Sequence, residues 1–291
     1  MRPTMRSAFF YSPRRALLSR RVGLIREHRG VMDALPVLHI PHSSVCVPAD
    51  IRTSLRISDE ELERELLLMT DWYADELFAM PSSEAVTIRF PVSRLAVDPE
   101  RFLADATEPM ASRGMGVIYT RTCTGALLRD EPTPRERSGL IERFYVPHHA
   151  ALSDAVDFAL KSQGHCLIID CHSFPSLPLP YEQDQRPERP GICLGTDPFH
   201  TPNWLVDFAR DLISGDGFAV AIDRPFSGAL VPSKHFGREP AVLAIMMELN
   251  RGVYMNERTG AKLPEFSRLA GVVQDSVRKL AHACSARMAA Q

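Results

Sequence analysis

The sequence predicts an α/β domain of three layers, with a mixed, mainly parallel sheet between two layers of helices. Two observations predict it. Short apolar runs rich in β-branched residues alternate with longer segments of helical periodicity along the whole chain, from "PVLHIPHSS" to "AVLAIMMELN". Several of those runs end in ionisable residues, as polar groups do where strands feed the crevice beyond a sheet's carboxyl edge.

The elements follow in order. "PVLHIPHSS" (36–44) reads as a strand closing in a polar turn. "SDEELERELLLMTDWYADELFAM" opens with Ser58 and an acidic first turn and carries apolar residues at helical spacing, so one or two helices are expected. "AVTIRF" is a second strand, followed by a loop dense in Arg and Asp, and "MGVIYTRT" (115–122) is a third strand candidate. "PTPRERSGLIERFYVPHHAALSDAVDFALKSQG" is helical, with Pro147 marking a kink or a new start. "CLIIDCHS", "GICLGTD", "FAVAIDRPF" and "AVLAIMMELN" are strands. A glycine-closed helix begins at "PNWLVDF", and an amphipathic helix ends the chain.

At 291 residues with a formal net charge of −2, the chain has length for one sizeable core and no basic surplus for nucleic acid. No apolar run approaches a membrane span, and a cytoplasmic protein is expected. The six cysteines are scattered without a C-x-x-C pair, which reads as buried free thiols in a reducing compartment. Residues 1–31 form an Arg-rich leader, with eight arginines against the single acid Glu27. It reads as a transit peptide or as an extension upstream of a start at Met32, poorly ordered and without chemistry. The domain itself is expected over 32–291.

The chemistry gathers at strand exits. Asp170 and His172 alternate with Cys171, so the first two share one face and the thiol turns away. A carboxylate beside an imidazole fixes its tautomer for metal binding or base catalysis, or the histidine simply caps a backbone carbonyl. His42, in the turn after the first strand, is the second imidazole; His39 is expected to face inward along the strand. No acid follows His42 at H-x-x-E spacing, so a metal's carboxylate ligand must come from elsewhere; Asp71 is the candidate and Asp75 reads as an exposed helix acid. Glu248 ends the most apolar run of the chain. It is either a general base or a buried ion-pair partner of Arg251.

"IPHSS", "TDWYADELF", "RFPVSRLAVDPERF", "YVPHHAAL", "IIDCHS", "RPFSGALVPSKHFG" and "MELNRGVYM" together resemble the N-formylglutamate amidohydrolase family, in order and rough spacing, over nearly all the chain after the leader. The resemblance implies a phosphorylase/hydrolase-like fold similar to the zinc carboxypeptidases and aspartoacylase. It implies one Zn2+ per chain and hydrolysis of N-formyl-L-glutamate to formate and L-glutamate, a step of histidine degradation. It places His42, His172 and Asp71 as metal ligands and Glu248 as the catalytic glutamate. Arg94 and Arg101 fall where arginines for the substrate's carboxylates are expected, Arg94 with a share in catalysis by steadying the oxyanion. Ser44 stands where the family often has glycine, and Glu100-Arg101 where it usually has Asn-Arg.

A substrate with two carboxylates needs several arginines, and Arg94, Arg101, Arg121 and Arg129 form the pool. Ser227, Gly228 and His235 suit a glycine-bearing loop that closes over substrate. Asp170 and His148 are expected behind the ligands, and His149 at the surface. Three rival readings remain: hydrolysis of another N-acyl amino acid, a non-catalytic small-ligand binding protein, and Cys-dependent hydrolysis through Cys171. The last is disfavoured because strand alternation turns that thiol away.

Overall fold

A computed structural model describes residues 35–290. The Arg-rich leader and the question of a start at Met32 lie outside the described residues. In chain order the elements are β1 (Val37–Ile40), α1 (Ala49–Arg52), α2 (Asp59–Met69), α3 (Ala74–Leu77), β2 (Val86–Arg89), α4 (Pro134–Leu140), α5 (Val146–Gln163), β3 (Cys166–Phe174), β4 (Ile192–Gly195), α6 (Asn203–Gly215), β5 (Val220–Ile222), β6 (Val242–Asn250), α7 (Arg251–Tyr254) and α8 (Phe266–Met288).

Local sequence accounts for the helix ends. Ser58 accepts from the Glu61 amide while the Glu61 carboxylate takes the Ser58 amide, a reciprocal cap that starts α2. Thr133 and Glu136 do the same for α4, with Pro134 at the first helical position. Between α4 and α5 the helix continues through one π-helical stretch, Ile141–Tyr145. Pro147 therefore sits in the first turn of α5, where its missing N–H costs little. Gly164 (φ +76°) ends α5 in the left-handed conformation and turns the chain into β3.

The six strands form one sheet in the order β2-β1-β3-β6-β4-β5. The first four are mutually parallel, β4 runs antiparallel to β6, and β5 is parallel to β4. β3 and β6 are buried along their full nine residues each, as central strands covered on both faces must be. One face packs Leu38, Ile169, Cys171, Ile245 and Met247 against α3, α6 and α8 residues such as Leu77, Ala209 and Val277. The other packs Val37, Ile168 and Ala244 against Leu152 and Val156 of α5. The expected three-layer mixed, mainly parallel architecture is observed.

One expected strand is absent. Met115–Tyr119 are buried, but the segment joins no sheet. Gly114 (φ +71°) and the bonds from the Thr120 and Arg121 amides to its carbonyl fold the segment back on itself. Its apolar side chains serve two smaller clusters around the 90–101 loop.

Candidate active site

β1, β3 and β6 deliver their chemistry to the same edge because they are parallel neighbours. His39 is in register with Asp170, and His172 with Glu248. All four lie on the α5 face of the sheet, while Cys171 points into the opposite core, fully buried. β1 stops at Ile40, and the turn that follows carries His42. The carbonyl of His42 accepts from the Asp71 amide at 3.0 Å, tying this turn to the end of α2.

The result is a pocket of about 170 Å³ lined by His42, Asp71, His172 and Glu248, with Arg94, Arg101 and Arg251 around it. Asp71 Oδ2 lies 3.1 Å from Nδ1 of His172 and 3.6 Å from Nδ1 of His42. Each imidazole turns its other nitrogen to a different carboxylate: His42 Nε2 is 2.9 Å from Asp98 Oδ1, and His172 Nε2 is 3.2 Å from Asp170 Oδ1. Nδ1 of His42 is buried and has no hydrogen-bond partner.

This donor set fits a zinc ion. Ligand atoms about 2.1 Å from one tetrahedral ion are about 3.4 Å apart, close to the spacings around Asp71. Metal-ligating histidines also direct their outer nitrogen to a carboxylate, as both do here. Glu100 competes for the carboxylate place, since its ligand atom and those of His42 and His172 lie within 4.8 Å of one another. Asp71 lies against Nδ1 of both rings, whereas Glu100 approaches His172 from its Nε2 side.

The charges are strongly coupled. Burial opposes ionisation of Asp71, yet the hydrogen bond with His172 and the nearby His42 ring hold its carboxyl well below the usual range. Arg94, followed by His42, does the same for the fully buried Asp98. Arg94 grips Asp98 with Nε at 3.2 Å and Nη2 at 2.9 Å, and the Tyr119 hydroxyl donates to the same oxygen. Glu248 is the exception. Burial pushes its carboxyl up to about 8, and its Oε2 has no hydrogen-bond partner.

The other expected site residues fall in different places. Ser227 lines the pocket; Gly228 is its neighbour at φ +94° and is not among the lining residues. Arg121 is exposed and away from the pocket. His235 is turned toward α5, where Nε2 meets Asp157 at 2.9 Å. His148 is buried behind the site, its Nε2 2.8 Å from Nε2 of His39. His149 is half-buried rather than at the surface, stacked on Tyr145 and bonded to the Pro99 carbonyl. Asp75 pairs with Arg89 outside the pocket. Arg129 is buried away from it, bonded to the Leu95 carbonyl.

A family model described as N-formylglutamate amidohydrolase matches residues 36–255. The chain belongs to this family. It is therefore a hydrolase of the amidohydrolase type with a cluster of side chains suited to a metal. Two solved structures share its fold. N-formylglutamate amidohydrolase from Ralstonia eutropha JMP134 is 23% identical, with 86% of this chain and 96% of that chain covered and a TM-score of 0.74. Gene product Atu2144 from Agrobacterium tumefaciens is 16% identical over 86% of this chain and 91% of that one, with a TM-score of 0.58. No curated protein matches the chain. Among the described residues no helix is long and apolar enough to cross a membrane.

Two pocket residues, Arg251 and Tyr181, and Asp98 behind the pocket were not legible as such. Arg251, the ion-pair partner that one reading gives Glu248, instead donates from Nη1 to the carbonyls of Leu68 (2.7 Å) and Thr70 (3.1 Å) at the end of α2. It thereby braces the segment that presents Asp71. Tyr181 reaches the pocket from the loop after β3, its hydroxyl pushed up to about 12 by burial. Asp98 stands in the "DPERF" motif, whose spacing alone does not reveal that it turns back on His42.

Proposed function

We propose that this hydrolase cleaves N-formyl-L-glutamate to formate and L-glutamate, with one zinc ion held by His42, Asp71 and His172. The observation that carries the reading is the convergence of the two Nδ1 atoms on Asp71, with Glu248 in register beside His172. The chemistry that zinc supplies when bound is Lewis acidity toward a carbonyl oxygen and toward water.

The chain's own residues supply the rest. Asp98 and Asp170 face the outer nitrogens of the two imidazoles and would fix the tautomer that offers Nδ1 to the metal. Glu248 takes the proton of the attacking water and returns it to the departing amine nitrogen. A carboxyl whose proton affinity lies near neutrality serves both steps. Arg94 and Arg101, which line the same pocket, orient the substrate's carboxylates, and Arg94 steadies developing charge on the formyl oxygen. Ser227 contributes a hydroxyl at the pocket wall. The reading places the protein in the cytoplasm, in histidine degradation.

The test is kcat/KM across a panel of N-formyl and N-acetyl amino acids. The highest value for N-formyl-L-glutamate supports the proposal. A higher value for another member moves the assignment to a different N-acyl amino-acid amidohydrolase.

A further inference from the structure

Beside the proposed zinc site, the structure holds a second group of atoms that could ligate a metal. We propose that His39, Asp170 and Glu100 form a site for a second divalent cation, on the far side of the His172 imidazole from the first. This inference does not depend on which amide is cleaved.

The distances carry it. His39 Nδ1 lies 2.8 Å from Asp170 Oδ1 and 3.4 Å from Glu100 Oε1, and ligand atoms of the three residues all fall within 4.8 Å of one another. Ligands about 2.1 Å from a common ion, at angles of 90–110°, stand roughly 3.0–3.4 Å apart, which the His39–Glu100 spacing meets; the shorter His39–Asp170 contact is a hydrogen bond that an ion would replace by opening it slightly. Glu100 Oε1 is buried with no hydrogen-bond partner, although the Glu100 side chain, 16% exposed, reaches the pocket. A carboxylate oxygen left bare beside a second carboxylate is costly unless a cation joins them.

The surroundings match as well. His39 is fully buried, and its outer nitrogen meets Nε2 of His148 at 2.8 Å, the kind of partner that orients a metal-ligating imidazole. Asp170 is anchored on its other oxygen by the Leu230 amide at 2.9 Å. One imidazole nitrogen with two carboxylates suits Zn2+, Mn2+ or Co2+.

The competing reading is a hydrogen-bond chain, His148–His39–Asp170–His172, with no second ion. Metal binding by the full chain separates the two. The protein is stripped with a chelator, titrated with Co2+ or Zn2+ alone by calorimetry, and its metal content is measured after desalting. The proposal expects two equivalents in the wild type, and one in His39→Gln and in the near-isosteric Glu100→Gln, which guards against a folding failure at the buried histidine. For Co2+ it expects two sets of visible bands in the wild type and one in either variant. Saturation at one equivalent in the wild type, or two equivalents retained by Glu100→Gln, overturns it. Binding of no metal at all also overturns it, and takes the single-zinc reading with it; one equivalent leaves that reading standing.

Discussion

His172 and Glu248 sit side by side in register on adjacent parallel strands, one ring carrying a candidate metal-ligating nitrogen and one buried carboxyl with an unpartnered oxygen. The pairing separates roles that mutation can separate too. Glu248→Gln keeps shape and removes the base. It is expected to lower kcat by about 10²–10⁴-fold while KM and bound metal stay near wild type. Steady-state kinetics with metal analysis checks both halves; loss of metal in this variant would make Glu248 a ligand instead.

On the proposed reading Asp98 would act on the metal through His42, whose Nε2 lies 2.9 Å from its Oδ1. Asp98→Asn is expected to weaken zinc binding by about 10–100-fold without abolishing it. His172→Ala, which removes a proposed ligand outright, is expected to lose both metal and activity. Zinc affinities from competition with a chromophoric chelator distinguish the two grades of loss.

Five of the six cysteines are buried and only Cys46 is exposed. Burial raises the thiols of Cys123, Cys166, Cys171, Cys193 and Cys284, with Cys166, Cys193 and Cys284 pushed up to about 12. A thiol reagent on the native protein is expected to modify one cysteine quickly and the others only on unfolding, with activity retained. Rapid inactivation that tracks modification of Cys171 would favour the thiol mechanism.

Glu65 is buried beneath the 122–126 turn, and burial raises its carboxyl while the Cys123 amide and thiol donate to it. A carboxyl with a raised folded pKa binds its proton more tightly in the native state. Its contribution therefore falls as pH rises from the ordinary carboxylate value through the folded one. Denaturant melts from pH 4 to pH 8 should show a smaller decline in Glu65→Gln than in wild type; an unchanged slope would show that Glu65 titrates normally.

The residues explain which features the sequence revealed. Strand alternation over Ile169–Ser173 placed Asp170 and His172 together and Cys171 apart, because a buried parallel strand leaves side chains no other choice of face. The β-like run at 115–122 misled, since burial in a folded-back loop produces the same apolar content as burial in a sheet. Loop residues were hardest. Asp98 and Glu100 meet His42, His39 and His172 only because the 90–101 segment curls back over the sheet edge, a path fixed by tertiary contacts such as the Asp98 amide to the Val117 carbonyl. Arg121 and His235 showed the converse, with suitable chemistry in suitable motifs but side chains directed elsewhere.

The most direct measurement is formate release from N-formyl-L-glutamate by the purified protein, with and without a chelator and with zinc added back. The account predicts release that the chelator abolishes and zinc restores. Release that persists in a sample shown to be free of metal, or no release from a folded, zinc-loaded sample, would contradict it.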